Sequence, residues 1–93
     1  LPVDFYVDSD DGHAMLVFRW FYKKSDIDRK ALNALKKDDP FDARDELALG
    51  RGIYETPLEY VRGATTVFAE AGVGRYCARD YDEAKVKLYK RQL

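Results

Sequence analysis

The chain has one cysteine, one histidine, little net charge and no long apolar run. Cys77 has no partner within the sequence, so no intrachain disulfide can form, and a reducing compartment is expected. One His (His13) and one Cys cannot make up a tetrahedral zinc set. No stretch approaches the roughly 18 consecutive apolar residues that a bilayer span requires, so no membrane partner is expected. The opening Leu1-Pro2-Val3-Asp4 lacks the basic and apolar regions of a signal peptide. It also lacks an initiator Met, so a fragment or processed product is expected. Sixteen basic residues face 17 acidic ones, which argues against a dedicated nucleic-acid binder. Gly50, Gly52, Gly72 and Gly74 lack the spacing, and the following Lys-Ser/Thr, of a phosphate loop. Ser25, His13 and an Asp can be written down as a triad, but nothing organises them. Neither an enzyme nor a cofactor or metal site is expected.

Apolar residues make up 46% of the sequence and aromatics 14%, enough for a folded chain. Ninety-three residues allow one domain, 1–93, with a modest core. The longest aromatic-rich run is Ala14-Met15-Leu16-Val17-Phe18-Arg19-Trp20-Phe21-Tyr22. It reads as one buried strand covered on both faces, because β-branched and aromatic side chains suit a pleated surface. Val3 to Val7 reads as a strand before it, and Asp8-Ser9-Asp10-Asp11-Gly12-His13 as the turn, so residues 3–22 form a hairpin. The turn is not a calcium loop: its Gly comes one position early, and Arg19 stands where the bidentate Glu belongs.

Ser25 and Asp28 form a weak capping box for a helix in which Ile27, Ala31, Ala34 and Leu35 share a face opposite Arg29, Lys30, Lys36 and Lys37. Pro40 ends it, and 38–44 reads as a connection from helix to strand, with a second short helix through Glu46 as the other reading. Thr56-Pro57-Leu58-Glu59 could open a long helix to Gly72. Gly63 and the run Thr65-Thr66-Val67-Phe68 favour a short turn at 57–61 and a strand at 64–69. Arg75 to Arg79 reads as a strand with Val86 to Tyr89 as its hairpin mate, against a C-terminal helix capped by Asp80 or Glu83. Asp4, Asp8, Asp10 and Asp11 crowd one turn, as a solvated face or as an acidic rim for a basic peptide.

Four stretches, in order, resemble the bromo-adjacent homology (BAH) domain of chromatin proteins. Asp11-Gly12 and Met15 to Tyr22 are similar to that family's strand ending in R-W-F/Y-Y/F. Asp45-Glu46-Leu47-Ala48-Leu49-Gly50 is similar to its N-E-L-F-x-S segment. Pro57 to Val67 resembles P-L-x-x-I-x-G-K-C-x-V, and Tyr76 to Asp82 resembles F-x-C-R-x-x-Y-D. The resemblance implies a mostly β domain with short helices, a small, twisted, partly closed antiparallel sheet and a helical insertion around 25–37. It also implies that the family's first strand would precede Leu1, leaving the chain N-terminally incomplete and the edge beside 3–7 in need of cover.

The implied function is a nuclear binding module for a histone tail peptide or nucleosome, or for another chromatin protein, with direct nucleic-acid contact left open. Several members read methyl-lysine through an aromatic cage, which maps onto Trp20 and Tyr22, with Tyr54 and Glu55 as substitutes for the family's His and Asp. On one strand Leu16, Phe18, Trp20 and Tyr22 would share a face, and two rings so placed can flank a trimethylammonium group. The same rings can equally be core. Two further readings stand beside this one. The first is a structural interaction domain without a cage, inside a larger replication, silencing or DNA-modifying protein. The second is a small helix-turn-helix DNA-binding regulator, echoed by Gly72-Val73, Arg79 and Tyr81 to Ala84 and requiring helix across 57–71.

Overall fold

A computed structural model describes residues 1–63 and 66–91. Their centre is not the aromatic run but β4, Glu46–Gly50, in which every residue is buried. β4 lies between β3, Phe21–Tyr22, and β6, Tyr76–Asp82, in a four-stranded sheet of order β3-β4-β6-β7, where β7 is Lys87–Lys90. The β3–β4 and β6–β7 pairs are antiparallel, and β4–β6 is parallel. Parallel neighbours need a long crossover. The crossover here, residues 51–75, carries β5, Tyr54–Pro57, and a 3₁₀ turn at Leu58–Tyr60.

The second sheet has three strands in the order β1-β2-β5, where β1 is Pro2–Val7 and β2 is Ala14–Phe18. Both of its pairings are antiparallel. The expected hairpin is present. Asp8 donates its amide to the His13 carbonyl at 2.8 Å, and Gly12, at φ 73°, closes the turn back onto Asp8. β1 is an edge strand with every residue exposed.

The run 14–22 is not one strand. It breaks at Arg19-Trp20, leaving one sheet and joining the other. Three bonds hold the break. The Arg19 amide donates to the Leu1 carbonyl at 2.9 Å, Arg19 Nε donates to the Gly50 carbonyl at 2.7 Å, and the Gly50 amide donates to the Trp20 carbonyl at 2.8 Å. The cationic side chain at position 19 finds its acceptor on β4, which turns the backbone from one ladder to the next. Nor is the run covered on both faces: β2 is half-buried throughout and Trp20 is 50% exposed.

The expected helix around 25–37 shrinks to α1, Arg29–Asn33, behind a 3₁₀ turn at Lys24–Asp26. Asp28, not Ser25, is its cap, accepting from the Lys30 amide at 2.8 Å. Ile27 and Ala31 reach the core as the spacing requires, but Ala34 lies beyond the helix and is exposed. Five residues cannot sustain a helix without tertiary support, and α1 has it from β7 and from the cluster of Ile27, Ala31, Phe41, Ala48, Tyr81 and Leu88.

The turn at 57–61 is present, and no long helix from Thr56 occurs among the described residues. Of the strand expected at 64–69, Ala64 and Thr65 lie outside the described residues, and Phe68 forms a single parallel bridge with Tyr76. β6 and β7 form the expected C-terminal hairpin. The described residues therefore form a small, mostly β domain with one short helix and two modest sheets, one antiparallel and one mixed. Neither sheet is closed or strongly curled, so the partly closed, purely antiparallel sheet is not what forms.

β6 alternates strictly, with Cys77, Arg79 and Tyr81 turned inward. The inward arginine is satisfied by acids. Its Nη2 donates to the Asp39 carbonyl at 2.7 Å and stands 2.8 Å from Asp39 Oδ1, and its Nη1 lies 3.3 Å from Glu46 Oε2. Arg79 and Glu46 are both 4% exposed as side chains, so this is a buried ion pair joining β6, β4 and the connection before β4.

Candidate functional site

The sheet switch at Arg19-Trp20 decides where the aromatic side chains go. Phe18 ends β2 and pairs with Tyr54 at the start of β5. Trp20 follows in the break and turns back over Phe18. The Phe18 and Trp20 centroids are 4.8 Å apart, edge to face at 89°. Tyr54 lies 6.1 Å from Phe18 and 6.2 Å from Trp20. The three rings form a ridge on the surface, with Trp20 50% and Tyr54 41% exposed and Phe18 half-buried.

Tyr22 is not a second wall beside Trp20, because it lies across the switch on β3. Its ring packs edge to face on Tyr81, with centroids 5.4 Å apart. Burial is the main cause of a phenol pKa well above the ordinary tyrosine value, and the neighbouring Glu83 carboxylate and Tyr54 hydroxyl add to it. Tyr54 therefore stands between the ridge and a polar corner formed by Tyr22, Glu83 and Gly52. Glu83 Oε2 accepts from the Gly52 amide at 3.2 Å, while Oε1 is buried without a hydrogen-bond partner among the described residues. Glu55 follows Tyr54 on the strand and so faces the other way. There it accepts from the Tyr6 hydroxyl at 2.9 Å.

Of the four residues read from the sequence, the structure brings Trp20 and Tyr54 into one cluster, sets Tyr22 at its flank and ties Glu55 to Tyr6 on the opposite face. Phe18 and Glu83 were missed as site residues. Phe18 had a signal, since it is two residues from Trp20 in an aromatic run. Glu83 had none, because its approach depends on how the β6–β7 turn folds back under Gly50 and Gly52.

The ridge is open. Rings that sandwich a cation each stand within about 6 Å of it, on opposite sides. Phe18 and Trp20 are instead in edge contact, leaving no gap between them for a trimethylammonium group. Their outer faces can still receive an apolar side chain or the stem of a long cationic one. No group of three or more His, Cys, Asp or Glu side chains that could hold a metal ion occurs among the described residues. No family model matches the chain, and a search of curated proteins returns no match.

Proposed function

We infer that the chain is a protein-interaction module that meets its partner on the open ridge of Phe18, Trp20 and Tyr54, without enclosing a methylated side chain. One observation carries the reading: three aromatic rings converge at the surface of a sheet in which no residue is buried. Val3, Phe5 and Val7 of β1 add exposed apolar area to that sheet, at 50%, 53% and 59%. Apolar area left in water forfeits about 25 cal/mol per Å², and exposed apolar side chains gathered on one sheet commonly mark a binding surface. Trp and Tyr are also the side chains on which interface energy concentrates.

The resemblance to BAH domains supplies the partner class within this reading: a histone tail or another nuclear protein, bound in the nucleus as part of a larger assembly. The N-terminal hairpin and the C-terminal β6–β7 hairpin support a BAH-like fold, and the open, mixed four-stranded sheet departs from one.

Calorimetric titration of histone tail peptides, unmodified and lysine-trimethylated, tests the reading in wild type and in Trp20→Ala. Binding within about twofold for the two peptide forms, and a loss of about tenfold or more in Trp20→Ala, is expected from an open aromatic anchor. A strong preference for the trimethylated peptide would overturn the cage-less reading. Unchanged affinity in Trp20→Ala would remove the ridge, and no binding to any histone peptide would remove the partner class.

A further inference from the structure

A second surface lies on other elements. Lys24, α1 and the chain that follows it to Phe41 border an open groove of about 530 Å³. Its rim carries Lys24, Arg29, Lys36 and Lys37, and no carboxylate lines it among the described residues. None of these four cations is within ion-pairing distance of an acid among the described residues, unlike Arg19, Arg51, Arg79, Lys90 and Arg91. The floor is apolar. Leu32 and Leu35 pack on the buried cluster from above and keep part of their surface in the groove, beside Pro40 and Phe41.

We propose that this groove is a docking site for an acidic, leucine-bearing segment of a partner protein. Charge complementarity sets the sign of the occupant, since four unpaired cations around one depression favour carboxylates and steer them in. The floor sets the rest. Half-exposed leucines gain by burial against aliphatic side chains, whereas a phosphate backbone gains nothing from them. Nucleic acid fits poorly for a further reason. Single strands bind on free aromatic faces, and the one ring in the groove, Phe41, is 4% exposed and already packed. An amphipathic segment with apolar side chains at i, i+3, i+4 and i+7 and acids between them matches both floor and rim.

The probe is a labelled synthetic peptide of Asp, Glu and Leu with the leucines at that helical spacing, followed by fluorescence anisotropy with the full chain. Saturable binding is expected. It should weaken about tenfold in the double variant Lys36→Glu, Lys37→Glu, both exposed positions whose change leaves the core untouched. It should weaken similarly when Gln replaces the peptide leucines, and stay unchanged in Arg62→Glu, a charge reversal outside the groove. An unaltered thermal midpoint in the double variant separates loss of docking from loss of fold. Equal binding of the leucine-free peptide would reduce the effect to unspecific charge and overturn the proposal. Tighter binding of oligothymidine would make the surface a nucleic-acid site and overturn it too. Salt-sensitive self-association abolished by Lys36→Glu, Lys37→Glu would seat the acidic turn of a second copy there instead.

Discussion

Removing the Arg79 side chain should cost this protein a large part of its stability, and the structure says which contact carries the cost. Arg79 has two acidic partners. Asp39 is 44% exposed and shared with Lys90, whose Nζ is 3.1 Å from Asp39 Oδ2, so water and Lys90 take over much of what is lost there. Glu46 is 4% exposed, and no other cation lies within ion-pairing distance among the described residues. Arg79→Ala therefore leaves a buried carboxylate uncompensated, which typically costs about 3–5 kcal/mol. A domain of this size is stable by about 5–15 kcal/mol, and each kcal/mol moves the thermal midpoint by about 4–8 °C. The assay is urea unfolding with fluorescence of the single tryptophan, backed by circular dichroism. The cost should also depend on pH with a definite sign. Burial raises the Glu46 pKa, partly offset by the Asp42 amide and the Arg79 charge. With its folded-state pKa above the unfolded one, the penalty for burying Glu46 is absent below the ordinary glutamate range and grows as pH rises through the raised value. Without Arg79 that value rises further, so the loss in Arg79→Ala should be greatest at neutral pH and shrink towards about pH 4. The Asp39 contribution shrinks in the same direction. An apolar double replacement, Arg79→Met with Glu46→Leu, should recover most of the loss, since buried pairs often exchange for hydrocarbon at little cost. A loss in Arg79→Ala below about 1 kcal/mol at neutral pH, or one that grows with acid, would refute this account of the pair.

Gly50→Ala should destabilise the fold by about 1–3 kcal/mol, because its Cβ would meet Tyr22 Cε2 at 2.6 Å and press into the Glu83 carboxylate; a neutral change in the urea midpoint would show that Tyr22 and Glu83 yield freely. Asp42 accepts from the Arg44 and Asp45 amides at 2.8 and 3.3 Å, and these bonds hold its carboxyl below the ordinary aspartate value. Its stabilising effect is complete above that ordinary value and is lost as pH falls through the lowered one, so Asp42→Asn should flatten the acid limb of the stability curve; an unaltered limb would assign acid unfolding to other carboxylates. Cys77 is buried and its thiol pKa is raised by that burial, so alkylation should be slow in the native protein and fast in urea. Native labelling at the rate of a free thiol would show that β6 opens readily.

Local chemistry alone determined several pieces. The hairpin at 2–18 follows from two apolar runs separated by Asp8-Ser9-Asp10-Asp11-Gly12-His13, where Gly12 supplies the positive φ and the Asp side chains satisfy turn amides. The short turn after Pro57 and the C-terminal hairpin were legible for the same reason, since each depends on residues close together in the chain. Ile27 and Ala31 were readable as core positions because helical spacing aligns them, although only one turn of that helix forms.

Tertiary structure decided the rest. No periodicity marks a strand that changes sheets. Residues 14–22 look continuous because every residue suits a strand, and the break at Arg19 is held by bonds to distant residues: Arg19 to the Leu1 and Gly50 carbonyls, and the Gly50 amide to the Trp20 carbonyl. That break separated Trp20 from Tyr22 and turned an expected pair of facing rings into a surface ridge completed by Tyr54. The centrality of Glu46–Gly50 was equally hidden. Its charged first residue becomes buried because Arg79, brought alongside by parallel pairing, supplies the opposite charge. The same holds for the basic groove, whose walls come from the shortened helix and the chain after it. Composition set how much apolar and charged material there was, and long-range hydrogen bonds chose which of it faced water.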